Sequence, residues 1–186
     1  MRLAPIDSEN FRTLPVYARL STYWELDPAT AKDLTSGERE FEKEAWVATV
    51  GNCGFTFGPS AIFYCHPDMA PGATRLNAAP VSADAQLVTS MFVDPGFTDI
   101  GIEAVLMDSV IMEVTLGGSP ALEAFGCMAE PTEVEAVSGF FSAQFLESCG
   151  FKLIKRGENV SRYRIDLPPR DRVLSIGALA DMVASI

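Results

Sequence analysis

The stretch that decides the fold runs from Gln86 to Thr115, QLVTSMFVDPGFTDIGIEAVLMDSVIMEVT. Its first part alternates Leu87, Thr89, Met91 and Val93 with Val88, Ser90 and Phe92, so apolar residues fall on both sides. That pattern predicts a strand buried on both faces, at the centre of a sheet. Asp94-Pro95-Gly96 ends it, since neither Pro nor Gly sustains a strand. From Ile100 onward, Ile102, Leu106, Val110 and Val114 recur with Val105 and Ile111 beside them. This spacing predicts a helix with one buried face. A strand that feeds straight into a helix brings unpaired backbone N–H groups and the positive end of the helix dipole together, which suits a phosphate.

Strand, Val93-x-Pro95, short loop, glycine and helix together resemble the acetyl-CoA-binding core of the GNAT N-acetyltransferase superfamily. The family loop reads Arg/Gln-x-x-Gly-x-Gly/Ala and cradles the coenzyme A pyrophosphate. The same six positions here read Thr98-Asp99-Ile100-Gly101-Ile102-Glu103, with Gly101 matching. The resemblance implies acetyl-CoA contacts along those six residues, backbone contacts to a pantetheine arm at Phe92 and Val93, and a further contact at Ser142. The closing Phe145-Leu-Glu-Ser-Cys-Gly-Phe151 resembles the family signature Phe-Tyr-x-x-x-Gly-Phe. Leu146 stands where the family places a proton-donating tyrosine, and Gly139 where it often places an asparagine. Trp24-Glu-Leu-Asp-Pro28 resembles a segment of an actinobacterial GNAT-like subgroup.

Around this core the chain reads in order as follows. Residues 8–20 predict a helix restarted near Pro15, with Ser8 as its N-cap. Tyr23 and Trp24 precede Asp27-Pro28, read as a helix stop. Residues 37–50 predict a second helix with Phe41, Ala45 and Ala48 on one face and Lys43 elsewhere, closed by Gly51. Cys53–Phe57 and Ser60–Cys65 predict a hairpin about Gly58-Pro59. His66 follows as a strand-end residue, and residues 67–83 read as a long surface loop. Pro120–Gly126 is the next strand, with Gly126 suited to close approach of another backbone or ligand. Ser138 is the expected cap of the helix ending at Gly150. Strands at Phe151–Lys155 and Ser161–Leu167 follow, the latter with Tyr163 and Ile165 on one face. A short apolar helix at about 172–186 packs on the domain or serves a homodimer. The expectation is a single GNAT-like domain over 1–186, of the α/β (α+β) class. Its sheet is mixed, mostly antiparallel, of about six to seven strands flanked by helices.

Composition narrows the partners. The chain has 186 residues and a net charge of −11. No Lys or Arg occurs between Leu76 and Phe151, a span holding 11 acids. Such a middle argues against nucleic acid, whose binding requires neutralised phosphates. It favours a cationic amine substrate or a basic protein partner. No apolar run approaches the roughly 18 residues of a membrane span, and the N-terminus lacks the apolar stretch of a signal peptide. The sequence therefore reads as cytoplasmic. The four cysteines show no Cys-x-x-Cys pairing and read as reduced, mostly buried thiols. No His/Cys/Asp cluster at ligand spacing suggests a metal.

Two functions follow. The first is a GNAT-type N-acyltransferase moving an acyl group from acyl-CoA to an unknown amine. Asp84, at the start of the central strand, is then the candidate general base. The second is a catalytically lapsed GNAT fold acting as a regulatory or protein-binding module. Thr98 lacks the guanidinium fork for phosphate. Asp99 and Glu103 place negative charge at the helix end where a pyrophosphate would sit, and a like-charge pair near 4 Å costs roughly 1–4 kcal/mol.

Overall fold

Apolar alternation along the hairpin gives the sheet its two faces. In the computed structural model, which describes residues 2–97, 100–129 and 138–170, Phe63 and Cys65 turn to one face and Ile62 and Tyr64 to the other. The strands are β1 (Leu3–Pro5), β2 (Gly54–Phe57), β3 (Ser60–Cys65), β4 (Ala85–Phe92), β5 (Ala121–Cys127), β6 (Phe141–Ser142), β7 (Lys152–Lys155) and β8 (Val160–Asp166). They form one sheet in the order β1-β2-β3-β4-β5-β8-β7, with β6 beside β5. The pairs β4–β5 and β5–β6 are parallel and the others antiparallel. The mixed, mostly antiparallel sheet of the sequence reading is therefore present, with β1 and the two-residue β6 added to it.

The helices are α1 (Val16–Leu20), α2 (Pro28–Ala31), α3 (Ser36–Val50), α4 (Ile102–Leu116) and α5 (Ala143–Ser148). Helices α1 and α3 cover one face, packing Ala18, Trp46 and Val47 with Phe63, Leu87 and Phe125. Helices α4 and α5 cover the other, packing Leu106, Val110 and Leu146 with Val88, Leu122 and Tyr163. The chain's early elements differ from expectation in two places and match it in a third. Asp7, not Ser8, accepts the first amides of the N-terminal turn, those of Glu9 and Asn10, each at 2.9 Å. The expected restart near Pro15 is present: residues 11–13 form a 3-10 turn and α1 begins at Val16, because Pro15 cannot lie inside a helix. Asp27-Pro28 starts a helix instead of stopping one: Asp27 caps α2 and Pro28 occupies its first turn, where its missing N–H costs nothing.

The buried face of α3 is the larger correction. Phe41 is 68% exposed, while Lys43, Trp46 and Val47 are buried. Lys43 goes inside because it has partners there. Its ammonium pairs with the Glu25 carboxylate, both side chains being fully buried. It also lies 4.0 Å from the Phe63 ring centre and 5.1 Å from that of Trp46, and cations are attracted to such ring faces. This pair bolts α3 to the Tyr23–Leu26 segment. Residues 171–186, and with them the expected C-terminal helix, lie outside the described residues. Among the described residues no helix is long and apolar enough to cross a membrane.

Removing one partner of a buried ion pair strands the other's charge. We expect Lys43→Ala to lower the unfolding free energy by about 3–5 kcal/mol in urea titrations. The double change Lys43→Met with Glu25→Leu should recover most of that loss. A loss below about 1 kcal/mol in the single variant would deny the pair this role.

Candidate functional site

The site begins with a defect in the central strand. β4 pairs with β5 only from Ala85–Ala121 to Val88–Ala124. Beyond this, β4 advances from Val88 to Ser90 while β3 advances only from Tyr64 to Phe63. Thr89 is thus an extra residue, and its hydroxyl donates to the Phe63 carbonyl at 3.2 Å. A bulge of this kind bends a strand and increases its twist. β4 and β5 part there, leaving a gap between Met91 on one side and Gly126–Cys127 on the other.

Backbone groups facing such a gap need partners, and residues 138–142 supply them. Met91 N–H donates to the Gly139 carbonyl at 3.0 Å. Phe141 and Ser142 pair in parallel with Gly126 and Cys127. The Trp24 indole donates to the Ser138 carbonyl at 3.0 Å. The Phe140 ring lies 4.8 Å from Trp24 and 5.3 Å from Tyr23. Gly139 fits because it has no side chain. Its φ is +72°, and a Cβ there would lie 2.7 Å from Ser90 Cβ and 2.9 Å from Phe92 Cζ. Ser138 is therefore part of this wedge and not the helix cap. Ser142 caps α5, accepting the Phe145 N–H at 3.1 Å. Gly126 does allow a close approach, but by α5: a Cβ there would lie 2.8 Å from Leu146 Cδ1.

A cavity opens on each side of the wedge. The first, about 520 Å³, lies where α4 begins and is lined by Met91, Gly101, Glu103, Ala104, Phe140, Phe141, Ser142, Phe145 and Ser148. Gly101 enters α4 in the left-handed conformation at φ +84°, with nothing near its would-be Cβ. The first bond of α4 runs from Val105 N–H to the Gly101 carbonyl. The amides of Ile102, Glu103 and Ala104 therefore have no partner within the helix. The second cavity, about 540 Å³, lies on the α1–α3 side and includes Tyr17, Tyr23, Arg39, Arg75 and Ser138. Ser138–Phe140 separates the two.

The residues singled out from sequence scatter relative to this geometry. Gly101, Glu103 and Ser142 line the first cavity. Ile102 is buried beneath α4, and Ile100 is 66% exposed. Phe92 turns to the other face, against Tyr17 and Phe63. Successive amides of a strand point to opposite edges, so Met91, not Phe92, offers its backbone to the gap. Val93 is half-buried past the strand's end. Thr98 and Asp99 lie outside the described residues. Leu146 is fully buried in the core, which accounts for an apolar residue there.

Asp84 lies at the opposite end of β4, about 23 Å from the gap at Met91 at ~3.3 Å per residue. Its carboxylate accepts from both terminal nitrogens of Arg164, at 2.9 and 2.8 Å. That hydrogen bonding holds its carboxyl below the usual range, so it is a poor proton acceptor as well as a distant one. His66 caps the turn at Pro67–Met69 through Asp68 N–H. The cysteines are free, and burial pushes the Cys53 thiol up to about 12. Sequence reasoning missed the wedge. Its one visible signal was Gly139 at a family asparagine position, followed by Phe140-Phe141 ahead of the helix.

No family model matches the chain, and no curated protein matches it in sequence. Solved structures do match in fold. An N-acetyltransferase from Staphylococcus aureus Mu50 is 16% identical, with a TM-score of 0.54 over 90% of this chain and 98% of its own. A paia N-acetyltransferase from Thermoplasma acidophilum, solved with coenzyme A, is 11% identical with a TM-score of 0.53 over 89% and 98%. The GNAT domain of S. lividans PAT is 15% identical with a TM-score of 0.50 over 89% and 90%. At these identities the likeness is one of fold.

Gly139→Ala should force the wedge away from β4. We expect a stability loss of about 1–3 kcal/mol, together with faster exchange of the amides at the end of β4. A neutral substitution would mean that the wedge is not seated as described.

Proposed function

We propose that this chain, which has the fold of the GNAT acetyltransferases, is an acyl-CoA-dependent N-acyltransferase acting on an amine. The observation that carries this reading is the first cavity, placed where the unpaired amides of α4 face the parted edge of β4. Oriented backbone N–H groups at a helix start suit a pyrophosphate. The open space beside Gly101 leaves room for its approach. Bound there, acyl-CoA would supply an activated thioester.

The chain's own residues then have definite tasks. The amides of Ile102, Glu103 and Ala104 hold the phosphates, and the edge at Met91 orients the pantetheine arm. Since the Gly139 carbonyl already takes the Met91 N–H, that alignment requires Ser138–Phe140 to move. Tyr17 lines the second cavity beside Phe92. Its hydroxyl, protonated at neutral pH, can give a proton to a leaving thiolate; burial and the nearby Asp94 raise its pKa, which makes it a weaker acid than a free tyrosine. Deprotonation of the amine falls to water, because Asp84 is remote.

Two features favour the second reading, a lapsed GNAT fold that binds a regulatory or basic protein partner. Glu103 lines the cavity with no Lys or Arg among its described lining residues, and the wedge closes the way between the cavities. Calorimetric titration with acetyl-CoA separates the readings. The acyltransferase reading expects saturable binding, weakened strongly by Gly101→Trp. It also expects binding tightened about five- to tenfold, or ~1–1.4 kcal/mol, in Glu103→Gln. Absence of heat at high micromolar acetyl-CoA in both the natural chain and Glu103→Gln would leave only the lapsed fold.

A further inference from the structure

The second cavity carries a charge opposite to that of the molecule around it. The chain's net charge is −11, yet among the described residues this cavity is lined by Lys32, Arg39 and Arg75 and by no Asp or Glu. Both guanidiniums are half-buried and held by neutral groups. Arg39 donates to the Leu34 carbonyl at 3.2 Å, to the Thr22 hydroxyl at 3.0 Å and to the Ala31 carbonyl at 2.8 Å. Arg75 donates to the carbonyls of Tyr23 and Leu26 and lies over the Tyr23 ring, 4.5 Å from its centre. Among the described residues neither forms an ion pair with a carboxylate.

Carbonyls fix the two forks in place without cancelling their charge. A guanidinium has five N–H donors, so each keeps donors beyond those it uses on the protein. Two immobilised guanidiniums with unspent donors, and a lysine at the rim, suit a carboxylate or phosphate group. The same cavity is joined to the end of β4 by Tyr17, whose ring centre lies 5.8 Å from that of Phe92.

We propose that this cavity anchors the acceptor by an oxyanion, so that the acceptor is an amine that also carries a carboxylate or phosphate. The proposal rests on the acyltransferase reading for the word acceptor, and on the cavity alone for the anion. It refines the expectation of a purely cationic substrate. The acidic span sets the long-range field, while Lys32, Arg39 and Arg75 set the local one.

The test is calorimetric titration of the full chain without acetyl-CoA, using three probes: glutarate, inorganic phosphate and cadaverine. Saturable binding of glutarate or phosphate, with none of cadaverine, is expected, and the tighter arm tells carboxylate from phosphate. Lys32 is exposed and among the described residues forms no side-chain hydrogen bond or ion pair, so Lys32→Glu should fold normally. It should weaken the bound anion at least about tenfold. Arg75→Gln should abolish binding; because Arg75 also ties down two carbonyls, its fold is checked by circular dichroism. Failure of both anions to bind, binding unchanged in both variants, or tighter binding of cadaverine would overturn the proposal. Anion binding without acetyl-CoA binding would remove the donor reading and leave the anion site. Acetyl-CoA binding without anion binding would remove the anion site alone.

Discussion

One inserted residue governs this molecule. Thr89 has no counterpart on β3, and the bend it imposes ends the pairing of β4 with β5 at Val88 and Ala124. Everything distinctive about the site follows from what happens to the backbone groups left facing the gap. In a sheet interior such groups cannot be left unpaired without a cost of about 1–3 kcal/mol each. Here the chain answers from within, with the Gly139 carbonyl on Met91 and with β6 on the end of β5. The wedge that results is also a wall, with a helix-start cavity on one side and a cationic cavity on the other.

Charge is arranged by folding in a way that the linear sequence conceals. The span from Leu76 to Phe151 carries no cation, yet the fully buried Glu123 within it is satisfied. Arg162 and Arg164 reach it from β8, at 3.0 and 3.4 Å, and the Ser82 amide donates at 3.1 Å. Arg164 reaches Asp84 as well. Antiparallel pairing of β8 with β5 thus returns positive charge to the acidic middle. The second cavity has the same origin: its three cations come from α2, α3 and the turn at Pro71–Arg75. They converge only in three dimensions.

The fold was legible because it rests on periodic burial. The two-faced run through Leu87–Phe92 is a central strand, and the four-residue spacing from Ile102 to Val114 is a helix on its back. Gly101 and Gly51, read as a turn into one helix and an end to another, adopt positive φ at those places. The site was less legible, because its parts depend on pairings between distant residues. Lys43 read as a surface residue, since its partner Glu25 and its ring contacts lie in other elements. Asp84 read as a base at the start of the central strand, and it does sit in the turn just before β4, but that is the wrong end. Gly139 followed by Phe140-Phe141 was the wedge's one local sign, and by itself it does not announce that a strand edge will be vacant opposite it.

The wedge is the claim on which the two-cavity account stands, and the amide of Met91 tests it most directly. Residue-resolved hydrogen exchange on the ligand-free protein reads whether that amide is bonded. The account expects Met91 to be protected to the same degree as the paired residues of β4. Exchange of Met91 at the rate of an open strand edge, with Val88 still protected, would contradict it.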